Sequence, residues 1–173
     1  LTDGAIVLRP WRDGDLGCVA EASRDPDIPS GTTVPPEFTE PEGIAFVRRQ
    51  WSRLTNGEGL ALAIAEAESG RAVGHLTLMF TRQPGTVSLG YWLVPSARGR
   101  GLASRAVRVL VRWALAEVGL ARVEAFVEPS NAASMRVLES AGFQREGYLR
   151  SYLAIGDGRA DAYIYSLLAT DLA

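Results

Sequence analysis

The chain has 173 residues, of which 47% are apolar and 22% are charged, and these are ordinary values for a globular protein. The formal net charge of −2 gives no general basic surface for nucleic acid, and no apolar run is long enough to cross a membrane. The one cysteine, Cys18, has no partner for an internal disulfide, which suits a reducing compartment. We therefore expect a single cytoplasmic domain over residues 1–173, with neither nucleic acid nor a membrane as partner.

Hydrophobic periodicity and turn residues divide the chain into short strands and amphipathic helices. The predicted strands cover residues 5–8, 60–67, 71–80, 87–94, 122–127, 143–153 and 159–168. The predicted helices cover residues 15–24, 40–54, 102–118 and 130–141, and the Pro- and Gly-rich residues 26–36 are expected to form a loop.

The spacing of apolar residues also predicts which helix faces are buried. We expect Ile44, Val47 and Trp51 to share the buried face of the helix 40–54. A solvated stripe on the helix 102–118 is expected to consist of Arg105, Arg108 and Arg112. The element order reads βααββββαβαββ, or has one strand fewer if the strand 87–94 includes its neighbour. This order predicts a mixed sheet with helices on both faces, an α/β or α+β fold.

The most informative segment joins the strand 87–94 to the helix 102–118. Gly99 and Gly101 allow positive φ angles and a close approach of the backbone to a ligand. The first helical turn presents free N–H groups and the positive end of the helix dipole, and Arg98 and Arg100 add charge at the same place. This arrangement predicts a binding site for a phosphorylated ligand.

Three other interpretations of this segment can be weighed from the residues. A P-loop requires a lysine, and all 18 cationic residues of this chain are arginine. A dinucleotide fingerprint is closer, because residues 99–104 match Gly-x-Gly-x-x-Gly except at Ser104, and Glu128 ends the next strand where a ribose-binding acid is expected. A surface turn without a ligand leaves the crowding of two arginines and two glycines unexplained.

The same segment resembles the acyl-CoA pyrophosphate loop of the GNAT superfamily of N-acyltransferases, whose pattern [Gln/Arg]-x-x-Gly-x-[Gly/Ala] is met by Arg98, Gly101 and Ala103. Further segments are similar, in order and spacing over residues 6–168, to the branch that includes the ribosomal-protein N-terminal acetyltransferases (RimJ/RimL type). They are Leu8-Arg9-Pro10 with Asp13 and Asp15, Val73-Gly74-His75-Leu76, Leu89-Gly90-Tyr91-Trp92-Leu93, and Asn131-Ala132-Ala133-Ser134 with Arg136-Val137-Leu138-Glu139 and Gly142-Phe143.

The resemblance implies the GNAT fold, a mixed and mostly antiparallel central sheet flanked by helices, in which strands 4 and 5 splay apart. It implies a bacterial N-acetyltransferase that moves an acetyl group from acetyl-CoA, or another acyl group, to a primary amine by direct attack in a ternary complex, without a metal. The amine would belong to a protein N-terminus or a small molecule, and the enzyme could form a homodimer.

The resemblance also implies a set of donor-binding residues. The pantetheine arm would enter between the splayed strands and pair with the edge groups of Leu93 and Val94. The predicted donor-binding residues are Leu93, Val94, Arg98, Gly99, Arg100, Gly101, Leu102, Ala103, Ser104, Asn131 and Ser134.

The predicted catalytic residues are Asn131 and Ser134, at the start of the helix 130–141. Asn131 has two interpretations that can hold together, a helix cap and the pantetheine contact that the resemblance implies. Many relatives protonate the leaving thiolate with a tyrosine seven residues after this asparagine, where this chain has Leu138. The RimJ/RimL-type branch instead has a serine at the position of Ser134, which is therefore predicted to donate a hydrogen bond to the sulfur. A serine that only bonds the preceding turn is the alternative.

No single residue is predicted to be the general base. Relatives often carry a carboxylate just before the Leu-Gly-Tyr segment, where this chain has Ser88. The other titratable candidates are His75, within a strand, and Glu66 and Glu68, beside a hairpin. We expect deprotonation through ordered water, in a chain of waters held by Tyr91, Tyr148 and Tyr152.

Acidic residues crowd the segment between the first two predicted helices, namely Asp25, Asp27, Glu37, Glu40 and Glu42. They either attract a cationic amine or act as cap and loop residues.

Two other functional classes remain open from the residues alone. One is an acyl-CoA sensor without turnover, suggested by Ser88 and Leu138 in place of ionisable groups, and the other is a dinucleotide-binding oxidoreductase.

Overall fold

The computed structural model describes residues 1–172. It contains five α-helices and one seven-stranded sheet. In chain order the elements are β1 (Ile6–Arg9), α1 (Leu16–Ser23), α2 (Ile28–Gly31), α3 (Glu40–Thr55), β2 (Gly59–Glu66), β3 (Ala72–Phe80), β4 (Thr86–Leu93), α4 (Leu102–Arg112), β5 (Arg122–Val127), α5 (Ala132–Ser140), β6 (Gln144–Ile155) and β7 (Gly158–Leu168).

The strands lie in the order β1-β2-β3-β4-β5-β7-β6, and every neighbouring pair is antiparallel except β4 and β5. These two strands pair in parallel over only three positions, from Thr86 with Arg122 to Ser88 with Glu124. β4 continues to Leu93 and β5 to Val127 without pairing to each other. The splay of strands 4 and 5 is therefore confirmed, and so is the mixed, mostly antiparallel sheet.

Helices cover the two faces of the sheet unequally. On the face that we call the front, α1 and α3 close an aromatic cluster of buried side chains, in which Trp11 packs edge-on against Phe46 with ring centroids 5.1 Å apart. His75 on β3 and Trp92 on β4 complete this cluster, with their ring centroids 5.6 Å apart. On the rear face, α4 and α5 pack against the sheet through buried residues such as Leu110 and Leu138.

The structure corrects two predictions, the loop at residues 26–36 and the burial of Trp51, and it decides between the two predicted strand orders. Residues 26–36, predicted to be a loop, contain the single helical turn α2, and three strands rather than four lie between α3 and α4. The shorter of the two predicted strand orders is thus correct for that region. The prediction that Trp51 lies on the buried face of α3 is wrong, because its side chain is 47% exposed. The buried residues of α3 are Gly43, Phe46, Val47 and Gln50, a spacing that leaves Trp51 at the edge, where its indole N–H donates to the carbonyl of Trp11 (2.7 Å).

Two other predictions about the helices are confirmed, the burial of Cys18 and the exposed arginine stripe of α4. Cys18 is buried in α1, where desolvation raises the pKa of its thiol well above the ordinary value. The arginine stripe of α4 is exposed, and α4 continues beyond Arg112 as a π-helical turn, Trp113–Glu117. Among residues 1–172, no helix combines the length and the apolar character needed to cross a membrane.

Candidate acyl-CoA and catalytic site

The loop between β4 and α4 has the geometry that its glycines predict. Gly99 and Gly101 adopt φ angles of 75° and 72°, in the left-handed region that favours glycine. Gly101 is the N-cap of α4 and has no side chain to satisfy the first N–H groups of the helix. A Cβ added at either glycine would meet no heavy atom within 4 Å, so the loop faces open space. The positive end of α4 is therefore accessible to an anion.

Arg98 is held by the protein itself. Its Nη2 lies 2.8 Å from Oδ2 of Asp25, and its Nε donates to the carbonyl of Leu93 at 3.1 Å. Asp25 is buried and also accepts the backbone N–H groups of Asp27 and Ile28. Burial by itself raises the pKa of Asp25, but these N–H groups and the guanidinium outweigh it and hold the pKa below its ordinary value. The cap-and-loop interpretation is thus confirmed for Asp25.

Arg100 is held in a similar way from the opposite side of the loop. Its Nη1 lies 2.7 Å from Oε1 of Glu66, whose other oxygen accepts from Ser69 (3.0 Å). The hydrogen bond from Arg100 is the largest cause of a lowered pKa at Glu66, followed by that from Ser69. Both loop arginines are half exposed at the side chain and keep donor groups for a ligand. Glu66 is an ion-pair partner of the loop rather than a free base.

The end of β4 presents one set of main-chain groups to the opening between the splayed strands. The N–H of Val94 donates to the carbonyl of Val73 at 3.0 Å, so the main-chain groups of Val94 face β3. Since these groups alternate between the two edges of a strand, those of Leu93 face the opening. Of the two residues predicted to pair with pantetheine, Leu93 is the one whose main-chain groups lie at this opening.

Ser134 lies across the opening from β4. Its Oγ is 2.6 Å from the phenol oxygen of Tyr91, which is also 3.2 Å from the Ser134 carbonyl. Burial is the main cause that raises the pKa of Tyr91 to about 12, so this phenol stays protonated at neutral pH. The side-chain oxygen of Asn131 accepts the N–H of Ser134 at 2.9 Å, which confirms Asn131 as the cap of α5. The contact between Tyr91 and Ser134 was missed because sequence spacing carries no signal for it.

Several predicted residues lie elsewhere or serve the core. Burial lowers the pKa of His75 to about 3, and its Nδ1 accepts the indole N–H of Trp11 at 3.0 Å, so His75 is a neutral core residue. Leu138 is fully buried. Tyr148 donates to Asp161 on the β6–β7 hairpin, and Tyr152 stacks on Phe126 with ring centroids 4.6 Å apart.

The remaining predicted residues have simple surroundings. The hydroxyl of Ser104 accepts from that of Ser140 at 3.0 Å, which joins the first turn of α4 to the end of α5. Leu102 is buried and Ala103 partly buried against the core. Glu128 was considered above as a ribose ligand. Its main-chain carbonyl accepts the N–H of Asn131 at 2.9 Å and closes the turn before α5. The acids Asp27, Glu37, Glu40 and Glu42 are exposed.

Comparison with known proteins agrees with this geometry. Residues 5–144 match the acetyltransferase (GNAT) domain family. The chain is 29% identical over 170 residues to the N-acetyltransferase p20 of Bacillus licheniformis, covering 97% of this chain and 95% of that protein. It is 36% identical over 121 residues to the probable N-acetyltransferase YjcK of Bacillus subtilis, covering 69% and 67% of the two chains.

Solved structures show the same fold. RimJ of Mycobacterium smegmatis, in complex with CoA-disulfide, is 26% identical and has a TM-score of 0.81, with 96% of this chain and 83% of that chain covered. A GNAT-family acetyltransferase of Bacillus anthracis is 25% identical with a TM-score of 0.82, and 96% of each chain is covered. The chain therefore belongs to the acetyltransferase (GNAT) family and is an N-acetyltransferase.

Proposed function

We propose that this enzyme transfers an acetyl group from acetyl-CoA to a primary amine by direct attack in a ternary complex. The observation that carries the proposal is the opening between β4 and β5, which joins the accessible start of α4 to the hydroxyl pair of Tyr91 and Ser134. A donor whose diphosphate lies at α4 would have its thioester within the opening. A structure of similar fold, RimJ of M. smegmatis, is in complex with CoA-disulfide.

The donor would be held mainly by the backbone of the loop. The first-turn N–H groups of α4, with Gly99 and Gly101 before them, suit a diphosphate because no side chain at the N-cap competes for them. Arg98 and Arg100 are fixed by Asp25 and Glu66 and would add charge without a large loss of side-chain entropy. The main-chain N–H of Leu93 would pair with a pantetheine carbonyl, because the Leu93 carbonyl already accepts from Arg98.

The chemistry needs a hydrogen-bond donor at the sulfur. The amine nitrogen attacks the thioester carbon, the N–C bond forms, the C–S bond breaks, and the thiolate takes a proton. Ser134 can donate its O–H to the sulfur while it accepts the phenol proton of Tyr91, since a hydroxyl both donates and accepts. Asn131 fixes the backbone of Ser134 through the cap, and we expect its side chain also to contact pantetheine.

For the acceptor we propose an α-amino group or another primary amine of a peptide or small molecule. The chain is 32% identical over 82 residues to the [ribosomal protein uS5]-alanine N-acetyltransferase of Escherichia coli, and 24% identical over 162 residues to its L-amino acid N-acetyltransferase AaaT. Several expectations remain predictions. They are a metal-free reaction, cytoplasmic localisation, a homodimer, a single domain over residues 1–173, and the absence of nucleic acid and membrane partners.

The proposal is tested by binding and turnover measured separately. Calorimetry with acetyl-CoA, CoA, NAD and NADP should give heat with the two CoA compounds only. Release of free thiol should then follow on addition of an alanyl peptide, an amino acid or spermidine. The variant Ser134→Ala should bind acetyl-CoA as the wild type does but turn over about tenfold more slowly. Binding of NAD instead of CoA, or no release of free thiol with any of the amines, would refute the proposal.

A further inference from the structure

Ser88 occupies the β4 position where relatives often carry a carboxylate, and the neighbouring strand β5 has a carboxylate beside it. In the parallel register of β4 and β5, the Cα partner of Ser88 is that of Glu124. Paired residues of neighbouring strands point to the same face of a sheet. The adjacent pair, Val87 and Val123, is buried on the rear face, so Ser88 and Glu124 point to the front.

Glu124 also lies at the start of the opening. The pair formed by Ser88 and Glu124 is the last one before β4 and β5 diverge. The hydroxyls of Tyr91 and Ser134 lie further along the same opening, towards the rear face. A donor that enters from α4 and α5 and an amine that comes from the front would thus meet beside Glu124. The side chain of Glu124 is 18% exposed, which leaves it accessible to a small polar group.

Glu124 accepts fewer hydrogen bonds than Glu146, the other acid beside Arg122. Arg122 gives two donors to Glu146, at 2.9 and 2.5 Å, and Ser166 gives Glu146 a third hydrogen bond at 2.6 Å. Glu124 forms an ion pair only with the Nε of Arg122, at 3.4 Å on Oε2, a distance near the limit of a hydrogen bond. Within residues 1–172 its Oε1 has no hydrogen-bond partner. This carboxylate therefore keeps acceptor capacity that Glu146 does not have.

We propose that Glu124 accepts the proton that the acceptor ammonium loses before attack, an inference that rests on the proposed function. One proton of the ammonium passes to Glu124 and then to solvent, a second reaches the leaving thiolate, and the third stays on the new amide nitrogen. The carboxylate missing at Ser88 is thereby supplied from the neighbouring strand. A positioned carboxylate contributes typically about 100- to 10,000-fold to such a step.

Other charged groups on this face do not take this role. Arg122 on β5 and Glu146 on β6 pair with each other. Arg53 of α3 reaches the front face at Met79, the β3 partner of Ser88, and pairs with Glu58 at 3.1 Å. His75 on β3 is enclosed in the aromatic cluster. None of these groups offers an unoccupied proton acceptor beside the opening.

The decisive measurement is the pH profile of kcat/KM for Glu124→Gln with an alanyl peptide as acceptor. At pH 7 we expect a loss of about 100-fold or more, which shrinks about tenfold per pH unit as the free amine becomes more abundant. The dissociation constant of acetyl-CoA should stay within twofold of the wild-type value. The control Glu68→Gln removes an exposed acid from the β2–β3 turn and should retain the wild-type profile.

A second variant tests the inference even if Glu124→Gln fails to fold. The double variant Ser88→Glu/Glu124→Ser exchanges the two side chains across one register pair, and it should recover at least part of the rate together with the acidic limb of the profile. A loss in Glu124→Gln that is the same at every pH, or a folded but inactive exchange variant, would overturn the inference. A wild type that binds acetyl-CoA yet acetylates no amine would instead refute the proposed function, and the inference with it.

Discussion

The two halves of the sheet are built differently. Most residues of β2 and β3 are buried, because α1 and α3 cover the front of this half and α4, which contacts the flanking strands β1 and β4, covers its rear. In β6, at the opposite edge, none of the twelve residues is buried. The division between these halves is the place where β4 and β5 separate. The covered half thus carries the loop before α4, and the open half leaves its front face exposed to solvent.

Ion pairs show the same contrast. In the covered half, the two terminal Nη nitrogens of Arg9 each lie 2.8 Å from one of the two oxygens of Asp15, and both side chains are buried. In the open half, Arg122 makes a similar two-point contact with Glu146, but the Glu146 side chain is 42% exposed. The same chemical pair therefore has very different consequences for stability, because water competes for one and not for the other.

The largest expected effect comes from an aromatic residue of the covered half. Trp11→Ala leaves a cavity in the aromatic cluster and deprives His75 of its hydrogen bond, so we expect a loss of about 5 kcal/mol in the free energy of unfolding. Tyr152→Ala, a half-exposed aromatic in the open half, should cost less than about 1 kcal/mol. Urea denaturation at pH 7 measures both values. Equal losses would contradict the contrast between the halves.

The buried ion pair should come next. Arg9→Leu leaves the carboxylate of Asp15 buried without its partner, and we expect a loss of about 3 kcal/mol. Replacing both residues, in Arg9→Leu/Asp15→Leu, should restore much of that loss because no uncompensated charge remains. Urea denaturation of the single and double variants gives the comparison. A double variant that is less stable than Arg9→Leu would show that the pair itself, rather than its desolvation, dominates.

At the boundary between the halves, Tyr91→Phe removes the phenol that contacts Ser134. We expect kcat to fall about tenfold, equivalent to about 1.4 kcal/mol, with KM for acetyl-CoA nearly unchanged. If Tyr91 acts through Ser134, the same change in a Ser134→Ala background should have almost no further effect. Additive losses in steady-state kinetics would show that the two hydroxyls act independently.

The smallest effect concerns the exposed pair of the open half. Hydrogen bonds from Arg122 and then Ser166 lower the pKa of Glu146 from 4.5 to about 2. A lowered pKa in the folded state means that the ionised Glu146 stabilises the fold above pH 4.5, and that this contribution disappears as the pH falls towards 2. Glu146→Gln should therefore cost at most about 1 kcal/mol at pH 7.

The pH dependence of that cost supplies the control. The difference in unfolding free energy between wild type and Glu146→Gln should shrink steadily between pH 4.5 and pH 2. Glu68→Gln, which removes an acid without an ion-pair partner in the described chain, should show no such pH-dependent difference. A difference that stays constant down to pH 2 would mean that Glu146 acts through packing rather than charge.

Much of the fold could be predicted because its signals are local. Strand β5 matches its predicted range of residues 122–127, since alternating apolar residues have a period of two and a turn with Gly119 precedes them. The loop before α4 was predicted from glycines that only need a local backbone conformation. Trp51 was placed wrongly because its spacing fits a helical stripe, while the width of the buried stripe depends on the sheet beneath it.

The sequence by itself predicted the seven strands, four of the five helices, the glycine conformation of the loop before α4 and the cap at Asn131, because backbone preferences and side-chain periodicity act over a few residues. The tertiary structure alone decided that Asp25 holds Arg98, that Tyr91 meets Ser134, and that Glu124 lies beside Ser88. Each of these contacts joins segments far apart in the chain. Their register depends on how the strands pack and pair, and no local preference encodes it.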